Sequence, residues 1–335
     1  MDTLFWEVGD RGTVVCRLCA HNCHIREGKT GNCAVRRNVG GKLRTLVGST
    51  VTSINMDPVE KKPLYHFHPG SKVYSVGTPG CNFSCDFCQN YSISQVPRVT
   101  GTVPGKVVAP EALVADAKKR RADSVAFTYN EPTVFYELVY EVSGLCSVQG
   151  LDCIMVSNGF MSEDCLASLY RRIQAANIDI KSFREEFYRK HCGARLAPVL
   201  DSLKVIHRMG WWLEVTTLVI PGENDSDEEI RDIAHFIRDE LSPDVPWHLS
   251  RFHGAYNMAS HPAPEESHME RLWKLARSEG LHHVYLGNMR SSFGSTTFCP
   301  NCEHSCVTRQ GFFSHNSLKQ GCCPKCQTPI PGFWS

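Results

Sequence analysis

The stretch that decides the fold is Val76-Gly-Thr-Pro-Gly-Cys81-Asn-Phe-Ser-Cys85-Asp-Phe-Cys88-Gln89-Asn90, which follows a short apolar run. It places Cys81, Cys85 and Cys88 in one loop with no fourth cysteine close by. A [4Fe-4S] cluster normally takes four thiolates, so three ligands leave one iron open for chemistry. The alternative is a closed zinc knuckle, which usually pairs one C-x2-C with a second. This spacing lacks the second pair and favours the open cluster.

Composition and charge exclude several classes of protein. The 335 residues include 36 Lys and Arg against 35 Asp and Glu, so a net charge of +1 does not favour nucleic-acid binding. No run approaches the roughly 18 apolar residues of a membrane span. The N-terminus lacks the basic and apolar regions of a signal peptide. We therefore expect a cytoplasmic protein without membrane partners.

The cysteines indicate metal ligation rather than disulfides. The chain has 17 of them, and most lie at C-x2-C-type spacings without a secretory signal. Thirteen of them fall into three groups along the chain. The N-terminal group is Cys16, Cys19, Cys23 and Cys33, the second is Cys81, Cys85 and Cys88, and the C-terminal group is Cys299, Cys302, Cys306, Cys322, Cys323 and Cys326. The isolated cysteines, expected to be small buried side chains, are Cys146, Cys153, Cys165 and Cys192.

The N-terminal group lies in a polar segment, residues 13–38, with too few aliphatic side chains to form a core alone. A metal would substitute for that core. The four thiols of Cys16, Cys19, Cys23 and Cys33 suit tetrahedral zinc or an auxiliary iron-sulfur cluster, and their spacing does not choose between them.

The C-terminal group contains two knuckles, Cys299-Pro-Asn-Cys302 and Cys323-Pro-Lys-Cys326. Their separation closely resembles that of a zinc ribbon. A closed site of four thiolates leaves no open position, so we expect this module to be structural or a docking surface.

Between these modules, apolar runs alternate with helical patterns, which predicts an α/β fold of repeated βα units. The predicted strands are 73–78, 124–128, 152–157, 176–181, 213–220, 246–252 and 283–287. The predicted helices are Pro110–Arg121, Pro132–Val148, Ser162–Gln174, Phe183–Lys190, Ala197–Met209, Ser226–Leu241 and Pro264–Glu279. These units suit a partial (βα)6-type barrel with its site at the carboxyl ends of the strands. The predicted domains are 1–70, 71–295 and 296–335.

The segment before the barrel is expected to be strand-like over 42–55 and then an extended loop over 58–70, which contains three prolines and a glycine. Tyr65, His66, Phe67 and His68 lie in this loop. Because aromatic clusters are usually core, we expect them to pack down on the barrel mouth.

The pattern C-x3-C-x-aromatic-C, with Phe87 before Cys88, resembles the signature of radical S-adenosylmethionine (SAM) enzymes. The resemblance implies that SAM chelates the open iron through its amino and carboxylate groups. It also implies that the reduced cluster donates one electron to the sulfonium and releases a 5'-deoxyadenosyl radical.

The same resemblance assigns SAM-binding roles at successive strand ends. Tyr129-Asn130-Glu131-Pro132 stands where related enzymes carry Gly-Gly-Glu-Pro, so Asn130 and Glu131 are expected to accept hydrogen bonds from the methionine amino group. Alternation along a strand points Asp179 and Lys181 to one side, where Lys181 would meet the SAM carboxylate. The other expected SAM-binding residues are Ser157, Asn158 and, by similarity to glycyl-radical activating enzymes, His253.

Taken together, the cysteine segments, Lys62-Pro-Leu-Tyr-His-Phe-His-Pro-Gly70, Tyr129–Pro132 and the Pro-Ile-Pro-Gly-Phe-Trp ending resemble the radical SAM component of the "AmmeMemoRadiSam" system, a family related to pyruvate formate-lyase activating enzyme. The resemblance implies Memo-like and AMMECR-like partners and a reductant such as flavodoxin or ferredoxin. We expect hydrogen abstraction from a protein or peptide. The alternatives are modification of a small molecule or an RNA base and, from another class, a non-catalytic metal-bearing adaptor.

Overall fold

The structure is a computed structural model that describes residues 3–334. Its strands are β1 (Trp6–Val8), β2 (Val14–Cys16), β3 (His24–Ile25), β4 (Arg36–Val39), β5 (Lys42–Thr45), β6 (Thr50–Val51), β7 (Ser53–Pro58), β8 (Lys72–Gly77), β9 (Lys106–Val107), β10 (Ser124–Phe127), β11 (Asp152–Ser157), β12 (Ala175–Asp179), β13 (Trp212–Val219), β14 (Trp247–Arg251), β15 (Val284–Gly287), β16 (Thr297–Phe298), β17 (Ser305–Gln310) and β18 (Phe313–Asn316). Its α-helices are α1 (Tyr91–Ser94), α2 (Val96–Thr100), α3 (Pro110–Lys119), α4 (Tyr136–Val148), α5 (Glu163–Ser168), α6 (Glu185–Phe187), α7 (Ala197–Met209), α8 (Asp227–Phe236) and α9 (Glu266–Ser278). Short 3-10 turns occur at Asp10–Gly12, Val59–Lys61, Pro132–Phe135 and Tyr256–Met258, and π-helical turns at Tyr188–Cys192 and Ile237–Leu241.

An eight-stranded sheet in the order β15-β14-β13-β12-β11-β10-β8-β7 forms the centre of the molecule. All neighbours from β8 to β15 are parallel, and β7 pairs antiparallel with β8 at the edge. Strands such as β10, in which every residue is buried, read as continuous apolar runs because helices and loops cover both faces of a parallel sheet. The predicted α/β partial barrel is confirmed. The edge strand β7 lies before the predicted barrel boundary at residue 71.

The helices follow the predicted order, but one is shorter than expected and another differs in helix type. The helix predicted over 162–174 occupies only Glu163–Ser168, and Arg171 then adopts a left-handed φ of 61°, which a helix cannot continue through. The helix predicted over 183–190 is α6 followed by a π-helical turn through Cys192. Within residues 3–334, no helix combines the length and the apolar character needed to cross a membrane.

The extended loop before the barrel covers the amino ends of the strands, which is the end opposite to the predicted one. The backbone N–H groups of Tyr65 and His66 donate to the Glu214 carboxylate at 2.9 and 2.8 Å. Glu214 is the third residue of β13 and accepts from His248, the second residue of β14, at 2.6 Å. These positions are the amino ends of the strands, so the expectation that the aromatic loop packs on the barrel mouth is wrong.

The two cysteine-rich modules pack on opposite ends of the barrel. In the N-terminal module, β1-β2-β3 and the hairpin β4-β5 approach the carboxyl ends of the strands, where Cys19 bridges to Met161 beyond β11. In the C-terminal module, β16-β17-β18 lies at the amino ends, where Phe333 bridges to Phe67. The isolated cysteines at 146, 153, 165 and 192 are buried as predicted.

Candidate functional site

The loop with Cys81, Cys85 and Cys88 leaves the carboxyl end of β8 and is fixed by backbone hydrogen bonds. Ser84 N donates to the Cys192 carbonyl and Asp86 N donates to the His191 carbonyl, both at 2.9 Å. These contacts join the loop to the turn that follows α6. The three thiols are free and range from partly to fully buried.

Asn130 holds the start of the cysteine loop. Its Nδ2 donates to the Gly80 carbonyl at 2.7 Å and to the Thr78 hydroxyl at 3.2 Å, and its Oδ1 accepts from Thr78 N at 3.1 Å. The preceding Tyr129 has a left-handed φ of 73°, a conformation that glycine adopts more readily than other residues. Tyr129 is held in this conformation by a 2.7 Å hydrogen bond from its hydroxyl to Asp57.

Glu131 is buried and joins the ends of β10 and β11. Its carboxylate accepts from Thr133 N, the Thr133 hydroxyl, the Ser157 hydroxyl and Asn158 N at 2.6 to 3.0 Å. Three of these donors share Oε1 and one binds Oε2, so Oε2 keeps acceptor capacity for the hydrogen bond that the sequence predicted. Burial raises the pKa of Glu131.

Asn158 and Asn82 form the polar wall beside Cys81. Asn158 Nδ2 donates to Asn82 Oδ1 at 2.7 Å and lies 3.9 Å from Cys81 Sγ. Asn82 is 2% exposed, and its Nδ2 is buried without a partner among the described residues. A buried donor of this kind is costly unless a ligand satisfies it, which fits a cofactor seated against Cys81.

Asp179 and Lys181 lie together at the end of β12, as alternation predicted. Lys181 Nζ donates to Asp179 Oδ2 at 3.1 Å and lies 5.8 Å from the centre of the Phe87 ring. Burial lowers the pKa of Lys181, but the negative charges at Asp179 and Cys85 more than offset this and leave the pKa well above its usual value. Lys181 is therefore a fixed ammonium beside the cysteine loop.

The thiols of the loop cysteines are suited to bind iron. Burial raises the pKa of Cys81 well above its ordinary value, so a thiolate there requires a nearby cation. A hydrogen bond from Cys192 lowers the pKa of Cys85, although burial opposes it. Cys192 was expected only to fill space, and no sequence spacing relates it to the loop. Thiolates are the ligands of iron-sulfur clusters, so these residues fit a [4Fe-4S] cluster.

Two further groups beside the loop escaped sequence reasoning. His191 is buried between Asp86 and Glu223, at 3.1 and 3.0 Å. Arg98 Nη2 donates to the Cys81 carbonyl at 3.2 Å and to the Asn32 carbonyl at 2.6 Å. Both link the loop to segments distant in sequence, and neither lies in a motif.

His253 is exposed two residues beyond β14. The neighbouring Arg251 donates through Nε to the Pro264 carbonyl at 2.7 Å. The structure thus brings Asn130, Glu131, Ser157, Asn158, Asp179 and Lys181 around the cysteine loop, and the role of His253 in binding SAM stays a prediction.

The two four-cysteine groups differ in geometry. The donor atoms of Cys299, Cys302, Cys323 and Cys326 all lie within 4.8 Å of one another, and two of the sulfur pairs are 3.5 and 3.7 Å apart. Hydrogen bonds from Thr328 lower the pKa of Cys326 to about 5. Cys16, Cys19, Cys23 and Cys33 instead line one cavity of about 330 Å³, open mouth included.

Comparison with known proteins agrees with this arrangement. The sequence profile of the radical SAM superfamily matches residues 75–237. An uncharacterized protein of Methanocaldococcus jannaschii is 39% identical over 93% of this chain and 92% of its own length. A putative glycyl-radical enzyme activating enzyme of the same organism is 23% identical over 75% of this chain and 91% of its own length.

The fold is shared with solved structures. A radical SAM methyltransferase from Sphaerobacter thermophilus superposes with a TM-score of 0.54 and 15% identity, over 75% of this chain and 72% of its own. Streptococcus suis SuiB bound to S-adenosylmethionine gives a TM-score of 0.51 and 12% identity, over 69% of this chain and 53% of its own. The chain belongs to the radical SAM superfamily, whose enzymes cleave S-adenosylmethionine with a [4Fe-4S] cluster.

Proposed function

We propose that this enzyme uses Cys81, Cys85 and Cys88 to hold its cluster and abstracts a hydrogen atom from a protein or peptide. When bound, the cluster and SAM supply a 5'-deoxyadenosyl radical. The observation that carries the proposal is the three-thiol loop at the carboxyl ends of the strands, beside the Lys181 ammonium and beside Asn82 Nδ2, which has no partner within residues 3–334.

Lys181 is the residue proposed to bind the SAM carboxylate. An ammonium is a strong donor to a carboxylate, and the hydrogen bond to Asp179 keeps it directed toward the loop. In this proposal Asn130 and Glu131 are positioning residues. Asn130 fixes the loop backbone, and Glu131 fixes Ser157 and Asn158.

The preference for a macromolecular substrate rests on relatives. Besides the archaeal protein, a 4-hydroxyphenylacetate decarboxylase activating enzyme of Clostridioides difficile is 24% identical over 50% of this chain. The name of this relative says that it activates another enzyme, so its substrate is a protein. We propose Memo-like and AMMECR-like proteins as partners, a flavodoxin or ferredoxin as the reductant, and the cytoplasm as the location, where thiols remain reduced.

The C-terminal module is proposed to bind zinc. Zn–S bonds of about 2.3 Å in a tetrahedron place the sulfurs about 3.8 Å apart, and the measured pairs are 3.5 and 3.7 Å apart. Because four thiolates close the site, this metal would be structural. Cys306 and Cys322 lie outside the group.

Formation of 5'-deoxyadenosine by anaerobically reconstituted, reduced protein tests the activity. We expect turnover by the wild type and by Cys146→Ala, a buried cysteine far from the loop in sequence, and a loss of at least about 1000-fold in Cys85→Ala. If the wild type formed no 5'-deoxyadenosine, or if Cys85→Ala matched it, the enzyme proposal would fail. Deuterium transfer from a labelled peptide, small molecule or RNA would then identify the substrate class.

A further inference from the structure

The spacing of thiols separates single-ion sites from cluster sites in this chain. Within residues 3–334, the C-terminal four cysteines are the one group of three or more potential ligands whose donor atoms all lie within 4.8 Å of one another. The cysteines of the radical SAM loop do not form such a group, as expected where each thiolate binds a different iron. The N-terminal four do not form one either.

The N-terminal thiols nevertheless converge on a common space. Cys16, Cys19, Cys23 and Cys33 line the same cavity, whose walls also include the apolar side chains of Leu18 and Ile25. A single zinc ion would draw four sulfurs to about 3.8 Å from one another. Thiols that are spaced more widely than this suit a cluster in which each of four thiolates binds a different iron.

Arg36 gives a second, independent indication of an anionic ligand. It lines the cavity and is 1% exposed. Its Nη2 donates to Glu137 Oε2 at 2.5 Å, whereas Nε and Nη1 are buried without a partner among the described residues. Buried unpaired donors carry a substantial cost. The sulfur atoms of a negatively charged cluster would satisfy them.

We propose that Cys16, Cys19, Cys23 and Cys33 bind a second [4Fe-4S] cluster. All four irons have a protein ligand, so this cluster has no open position for SAM. It is distinct from the cluster of the proposed function because none of its ligands is shared with Cys81, Cys85 or Cys88.

The second cluster lies against the radical SAM loop. The His21 ring Nε2 is 2.8 Å from the Asn82 carbonyl, and Arg98 joins the carbonyls of Asn32 and Cys81. A Cβ at Gly80, which has a φ of 94°, would lie 2.6 Å from Val35 Cγ1 and 3.2 Å from the Cys33 carbonyl. The two cysteine-bearing segments are therefore joined by hydrogen bonds from the side chains of His21 and Arg98 to backbone carbonyls.

Iron, sulfide and zinc analysis of the full chain tests the proposal. In a Cys81→Ala/Cys85→Ala/Cys88→Ala variant, reconstituted anaerobically, we expect about four irons and about four sulfides per chain to remain, with about one zinc. Replacing Cys16, Cys19, Cys23 and Cys33 by Ser in addition should remove that iron. Iron near zero with about two zinc ions in the loop variant would overturn the proposal.

If the loss of four cysteines prevents folding, a single substitution still tests the proposal. In the loop variant, Cys23→Ser removes one partly exposed ligand and should lower the retained iron and alter the electron paramagnetic resonance (EPR) signal of the reduced cluster. Cys146→Ser is the matched control and should change neither. Equal iron and spectra in the two variants would contradict ligation by Cys23. Because the loop variant lacks the SAM-cleaving cluster, these results are independent of the proposed activity.

Discussion

The two four-cysteine modules have the same number of thiols but differ in ligand spacing and in place. The C-terminal thiols form a tight group at the amino ends of the strands, where Arg309 donates to the Tyr65 carbonyl at 2.6 Å. The N-terminal thiols surround a cavity beside the radical SAM loop. The difference teaches that cysteine spacing in sequence indicates a metal, whereas the separation of the sulfurs in space indicates which metal.

The largest expected effect is loss of the C-terminal metal. We expect Cys299→Ser/Cys323→Ser to lose zinc and to unfold residues 296–335, because zinc binding in small modules contributes about 10 kcal/mol or more. Metal analysis and limited proteolysis would measure both changes. The matched control is Cys322→Ser, which alters a cysteine outside the group and should retain zinc. Retained zinc in the double variant would contradict a four-thiolate site.

A smaller loss of stability is expected when the ion pair that joins each module to the barrel is broken. Arg36 and Glu137 are buried, with 1% and 6% exposure of their side chains, so Arg36→Met leaves a buried carboxylate unpaired and should lower the free energy of unfolding by about 3–5 kcal/mol. Arg277 and Glu303 form an exposed pair, with 24% and 60% exposure, and Arg277→Met should cost at most about 1 kcal/mol. Anaerobic urea denaturation would measure both. Equal losses would contradict the difference in burial.

The smallest effect concerns the attachment of the C-terminal module to the barrel. Burial lowers the pKa of His283 to about 3. It also holds the pKa of His66, whose ring packs edge-on against that of His283 with 4.5 Å between the ring centres, well below the usual value. The unfolded chain therefore binds protons more readily, so stability is full above about pH 6.5 and falls as the pH is lowered. Each histidine contributes a slope of about 1.4 kcal/mol per pH unit.

Denaturation at several pH values would check this slope. Between about pH 6 and pH 4, we expect His283→Gln to reduce the slope of stability against pH by the contribution of one histidine, about 1.4 kcal/mol per pH unit. The control is His253→Gln, an exposed residue that should leave the slope unchanged. An unaltered slope in His283→Gln would show that this histidine is not held neutral.

Much of the fold was predictable because its signals are local. The strands β8 and β10 to β15 are buried on both faces and appear in the sequence as apolar runs, and Cys81, Cys85 and Cys88 lie within eight consecutive positions. Asp179 and Lys181 share a side because strand geometry alternates.

What could not be predicted depends on contacts between distant residues. His66 faces the amino end of the barrel because it binds Glu214, 148 positions away. Glu131 binds Ser157 and Asn158 at the end of the next strand, and local sequence spacing does not show this contact. Likewise, no spacing reveals that Arg36, which lines the cysteine cavity, has two donor atoms without a partner in the part of the chain that the structure describes.

The most direct test of the account is the EPR spectrum of the reduced, reconstituted protein with and without SAM. The account predicts that SAM alters the signal of the cluster at Cys81, Cys85 and Cys88, whose fourth iron is open. It also predicts that the signal remaining in the Cys81→Ala/Cys85→Ala/Cys88→Ala variant is unaffected by SAM. A wild-type spectrum insensitive to SAM, or a SAM-dependent change in the variant, would contradict the assignment of the open and closed clusters.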